Sequence, residues 1–194
     1  MALVLVKEDG TGLANANSYA SAVDGDAYHD GHLYATGWTG ATTANKEKAL
    51  VFATRVIDSQ YRFNGVRAVA GQALQWPRSD CPDPDAAPDE TGIGTFASDQ
   101  IPTALINATC EMARALLAAD RTGAPAGEGI DTTQTSASSA SKDGTTSSSV
   151  SNNSMTRYSK VDTRPTISQA AQAFLSKLGS LNGLGSGAVP LVRV

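Results

Sequence analysis

The chain has 194 residues, 41% of them hydrophobic but only 6% aromatic, with a formal net charge of −4 and a pI near 5.1. Such a chain buries one modest core and leaves little room for a large catalytic cleft. Its acidic balance argues against strong general affinity for nucleic acid, because phosphate neutralisation by Lys and Arg supplies most non-specific binding. The charge is uneven: residues 1 to 122 carry nine basic and fifteen acidic groups, whereas residues 123 to 194 carry six and four. Cys81 and Cys110 sit in no metal or redox spacing, and no signal-peptide pattern opens the chain, which points to a reduced, intracellular, soluble protein.

In chain order, "MALVLV" is too short for a membrane span and suits a strand packed on the core. "EDGTGLANANSY" is turn-rich, and Ser18 or Ser21 could cap a short helix reaching about Asp30, although Gly25 lies inside it. The clearest amphipathic helix is expected at about 43 to 62, with Leu50, Ala53, Ile57 and Tyr61 on one face and Ala49, Phe52, Val56 and Phe63 flanking it. "CPDPDAAPDETGIG" is a proline-rich acidic surface loop. A second helix follows, with Pro102 in its first turn and a stripe of Leu105, Thr109, Met112 and Leu116, widened by Ile106, Ala113 and Leu117.

From Asp131 to Ser154, fourteen of twenty-four residues are Ser or Thr, a composition that cannot supply its own core. "KDGT" at its midpoint is a hairpin-turn signal, and a neighbouring subunit is one source of order for such an arm. "TISQAAQAFLSKLG" then predicts a helix in which Thr166 and Gln169 match a capping box, Ile167, Ala171, Phe174 and Leu178 form one face, and Gly179 stops it. The remainder is a glycine-rich tether ending in an apolar, basic peptide.

No motif here carries a reaction. His29 and His32 lie three apart with Asp26 nearby, but a zinc site needs further ligands, and the pair reads as solvated surface histidines. Asp80, Asp83, Asp85, Asp89 and Glu90 lack the regular spacing and turn glycine of a calcium loop. "GLGSG" is neither a phosphate loop nor a dinucleotide fingerprint, and a nucleophile elbow is absent. The expectation is a non-enzyme without metal or cofactor.

The most distinctive stretch is "GQALQWPRSD". One account has Trp76 and Arg78, with Arg62 and Arg67, stacking on and neutralising a single strand of nucleic acid. The other has Trp76 inserted in the core, Pro77 setting the exit of the chain and Arg78 bonding carbonyls or a carboxylate. A core poor in aromatics favours the second, with Gln72, Trp76, Pro77 and Arg78 as a structural motif.

The order "EDGTGLANANSY", "AYH", a helix ending in "YRFNGVRAVAGQALQWPR", "IPTALINATCEMA" and a closing "LVRV" resembles a family of tailed-bacteriophage proteins. The family carries the label DnaT-like single-stranded-DNA-binding protein, and its members sit among head-to-tail connectors, or adaptors. The resemblance covers about residues 5 to 122 and, loosely, the extreme C-terminus. It implies a virion protein of the head-tail neck, assembled in the host cytoplasm as a ring of about a dozen copies beneath the portal. A tail or stopper protein would lie below, and the genome would pass through without specific binding.

The fold expected on these grounds is mainly α: a small helical bundle over residues 1–122, an extended Ser/Thr-rich arm over 123–164 with a β-hairpin around "KDG", a helix over 165–179 and a docking tail over 180–194. Leu184, Val189, Pro190, Leu191, Val192, Arg193 and Val194 would dock on the portal, and Lys142, Asp143 and Gly144 would touch a neighbouring subunit. The rival reading is the label itself, a single-stranded-DNA-binding protein of phage replication, which requires a basic face.

Overall fold

A computed structural model describes residues 3–87, 94–123, 133–137, 152–156 and 165–182. Helices dominate, joined by short strands: α1 (Ala22–Asp30), α2 (Thr36–Thr39), α3 (Thr43–Gln60), β1 (Tyr61–Phe63), β2 (Val66–Arg67), β3 (Arg78–Ser79), α4 (Thr103–Ala118), β4 (Thr133–Ala137), β5 (Asn152–Thr156), α5 (Gln169–Leu175) and β6 (Gly179–Leu181). The chain divides into two compact units, Met1–Arg121 with Thr166–Val194, and Thr122–Pro165.

In the first unit α3 packs on α4 and α4 on α5, and the predicted helical periods account for both contacts. Leu50, Ala53 and Ile57 of α3 meet Leu105, Ala108 and Met112 of α4, and Ala171, Leu175 and Leu178 close the other side. Ser21 caps α1 by accepting from the Asp24 amide while Asp24 accepts from the Ser21 amide, a full capping box. Gly25 sits within α1 because the Trp38 ring lies against it; a Cβ there would stand 2.3 Å from the ring. Trp38, in a stretch without helical periodicity to mark it, is fully buried.

Three local expectations are corrected. Residues 3–6 form no strand: the Asn17 side chain takes the place of a partner strand, accepting from the Val6 amide and donating to the Val4 carbonyl. The cap of α5 is Ser168, which accepts from Ala171, rather than Thr166, whose carbonyl receives the Arg121 guanidinium. Gly179, expected to stop the helix, does not: α5 ends at Leu175 with Ser176 as its C-cap, and Gly179 instead opens β6, which pairs antiparallel with β1 through Tyr61↔Leu181, Arg62↔Ser180 and Phe63↔Gly179. Ser180 and Leu181, assigned to a free docking tail, are therefore part of the folded unit.

In the second unit β4 and β5 pair antiparallel from Thr133↔Thr156 to Ala137↔Asn152. Lys142, Asp143 and Gly144, expected at the turn, lie outside the described residues, as do Leu184 and Val189 to Val194. Among the described residues no helix is long and apolar enough to cross a membrane.

Candidate functional site

The connector "GQALQWPR" is built from the inside out. Trp76 is 0% exposed, with Phe63 and Phe96 each edge-on to its ring at 5.9 Å. It precedes a cis peptide bond to Pro77. Gln72 holds the loop by accepting from the Val69 amide and donating to the carbonyls of Leu74 and Pro77. The Arg78 guanidinium donates to the carbonyls of Asn64, Gln75 and Gly65. Trp76 thus has no face to offer a base, and the donors of Arg78 are spent within the fold.

Below this connector lies an ionisable pair. Tyr19 donates to Asp58 of α3 at 2.6 Å, and the same phenol oxygen accepts the amides of Gln75 and Trp76. The second Asp58 oxygen accepts the Gln75 amide at 3.1 Å. Burial pushes the Asp58 carboxyl up to about 6, against the opposing pull of its hydrogen bonds and of Arg67 and Arg78.

The histidines are not solvated as expected. His29 is buried against Trp38, with Nε2 at 3.2 Å from the Cys110 carbonyl, because α1 lays it on α4. His32 meets Glu111, which also accepts from Tyr28 and Arg114. Among the described residues no cluster of three or more His, Cys, Asp or Glu could hold a metal ion. Glu8, in the "EDGTG" turn, is another buried acid; it accepts the amides of Gly10, Gly12 and Leu13 and organises the loop. Three turn amides share this one acceptor, and the acid just before the glycines is the signal that could have marked it.

The outward chemistry lies on α3. Among the described basic side chains of the first unit, Lys7, Lys46, Arg114 and Lys177 pair with carboxylates, and Arg78 and Arg121 bond carbonyls. Lys48, Arg55, Arg62 and Arg67 are exposed and make no such bond among the described residues; the first three continue one surface along α3 into β1. Lys48, Phe52, Arg55 and Ser59 follow the i, i+4, i+7, i+11 spacing of one helical face, with Asn45 exposed beside them. Phe52, expected to flank the core, is 40% exposed on that face. The acids of α3, Glu47 and Asp58, are half-buried and lie off it.

Arg62 carries the stripe onward. In β1 the alternation buries Tyr61 and Phe63 and leaves Arg62 outside, opposite Ser180 of β6. Here the face runs into a polar groove of about 730 Å³ lined by Asp58, Arg62, Asn64, Gln75, Ser180 and Asn182 among others. Asn182 joins groove to helix, donating its side-chain amide to the Ser59 carbonyl and its backbone amide to Gln60.

The fold and this face together define a small helix-dominated body that displays unpaired cations around an aromatic ring. Over residues 1–193 the chain matches the family described as "Putative DnaT-like ssDNA binding protein", and it belongs to that family. No characterised protein and no solved structure matches it.

This match corrects the adaptor expectation. The family's description names single-stranded-DNA binding, and the portal, the ring of copies, the stopper and passage of DNA without specific binding find no support in it. Net charge is not a property of every surface. The acids gather in loops and on α1, so an acidic chain still carries a local cationic face.

Proposed function

We propose that this protein binds single-stranded DNA along the outer face of α3, as a binding protein without chemistry of its own. The observation that carries the reading is the stripe of Lys48, Phe52, Arg55 and Arg62, which is exposed and whose cations pair with no carboxylate among the described residues. Cations track the phosphates while an aromatic ring receives a base, a combination that holds single strands with little regard to sequence. The family description points the same way. Trp76 and Arg78, the residues first offered for this role, give way to Phe52 and to cations that the fold leaves free.

The test is fluorescence anisotropy of a labelled oligothymidylate titrated with protein across salt concentrations. Engagement of three phosphates predicts a slope of log affinity against log salt of roughly −2, at about 0.7 per phosphate for a single strand. Binding that ignores salt, or that favours duplex over single strand, would sink the reading.

A further inference from the structure

The groove at the foot of the stripe differs in chemistry from the stripe itself. Tyr61 and Phe63 line it but are only 5% and 6% exposed, so they provide walls rather than stacking platforms. The rest of the lining is polar: the amides of Asn64, Gln75 and Asn182, the Ser180 hydroxyl, Arg62, Arg78 and the Asp58 carboxylate. A volume of about 730 Å³ is ample for one nucleotide.

Asp58 gives the groove its selectivity. One oxygen accepts the Tyr19 hydroxyl and the other the Gln75 amide. An ionised carboxylate offers about four acceptor sites, so each oxygen keeps one. Two adjacent acceptors match two adjacent donors. On the free edge of an unpaired base, only guanine offers that pair, its ring N1–H beside its exocyclic N2 amine. Thymine presents one N–H between two carbonyls that would face the carboxylate charge; adenine and cytosine present one amine beside an unprotonated ring nitrogen.

We propose that this groove is a base-reading subsite in which Asp58 accepts both donors of an unstacked guanine, while Arg62 at the rim holds the adjoining phosphate. The proposal rests on the single-strand reading above and adds a preference to it. Burial disfavours the ionised form of Asp58, whereas the groups that face it, the Tyr19 hydroxyl, the Gln75 amide, Arg67 of β2 and Arg78 of β3, all favour it. Reading the edge of an extruded base in a pocket is a general solution for unpaired nucleotides.

The experiment uses unaltered protein near pH 7.5 and three short oligothymidylates: one unsubstituted, one with a single central guanine, one with hypoxanthine there. Hypoxanthine keeps N1–H and lacks the N2 amine. The guanine strand is expected to bind about tenfold tighter than the unsubstituted one, within the range of a good bidentate contact, and hypoxanthine to lose most of that gain. Equal affinity for all three strands overturns the subsite and leaves single-strand binding standing. No binding to any strand overturns both. Asp58→Asn, checked for folding by tryptophan fluorescence, is expected to remove the guanine preference; a folded variant that keeps it would also refute the assignment.

Discussion

Tyr19 donates its phenolic proton to Asp58 across 2.6 Å while its oxygen accepts the amides of Gln75 and Trp76. One buried hydroxyl therefore ties three distant segments together: the N-terminal loop, α3 and the tryptophan connector. Burial and the neighbouring Asp58 charge hold the phenol well above its ordinary pKa, so it stays a donor at every working pH. The stripe on α3 and the groove beside β1 are positioned by the same junction.

Tyr19→Phe keeps the ring and removes the hydroxyl. It leaves the Trp76 amide without its side-chain acceptor and Asp58 with the Gln75 amide but no hydroxyl donor, and about 1–3 kcal/mol of stability should be lost. Urea unfolding followed by tryptophan fluorescence reads this directly. An unchanged midpoint would mean that water replaces the hydroxyl.

Trp76→Ala empties the centre of an aromatic cluster and should cost roughly 3–5 kcal/mol. Because Trp76 is fully buried, affinity per folded molecule for oligothymidylate should stay as it was. A variant of native stability that fails to bind DNA would restore Trp76 to the interface.

Phe52→Ala should do the opposite. Its ring is partly exposed, so thermal unfolding should shift little, while single-strand affinity falls about tenfold, in keeping with about 1–3 kcal/mol per stacked base. Anisotropy at one fixed salt concentration suffices to compare it with the unaltered chain.

Lys48→Gln, Arg55→Gln and Arg62→Gln should each reduce the steepness of the salt dependence by about 0.7, one phosphate apiece. Lys46→Gln is the control, since Lys46 is already paired with Asp26. Equal effects from all four would point to a diffuse field rather than a defined track.

Stability should respond to pH through two groups of opposite sign, the half-buried Asp58 and the buried His29. The fold raises Asp58 from 3.8 to about 6, so its contribution is fully present below about pH 4 and is lost as pH rises through about 6. Burial lowers His29 below its ordinary 6.5, so its contribution is present above that value and is lost as pH falls through the folded-state pKa. Relative to the unaltered chain, Asp58→Asn should gain stability as pH rises from about 4 to 7, and His29→Gln should resist acid better. Urea midpoints across that range check both; parallel profiles would show that neither group titrates on folding.

The helices were largely legible. A period of Leu50, Ala53 and Ile57 predicts a helix at about 43 to 62, and α3 spans Thr43–Gln60; Pro102 marks the start of α4 just as its fixed geometry suggests. The side of Phe52 was not legible. Periodicity gives the centre of an apolar face, but its edge depends on how far the neighbouring helices reach, and they stop short of Phe52. The burial of His29 is illegible for the converse reason: a polar residue in the last turn before a helix-ending glycine looks solvated until α4 supplies the Cys110 carbonyl.

By itself the sequence determined where helices run and that Trp76 belongs inside, because both follow from local spacing and from the scarcity of large rings to fill a core. Only the tertiary structure decided which charges remain free. Pairing depends on distances between residues far apart in the chain: Lys46 finds Asp26 and Arg114 shares Glu111 with His32, whereas Lys48, Arg55 and Arg62 pair with no carboxylate among the described residues. Net charge sums over all of these, and a binding face is made only of the cations that folding leaves without a partner.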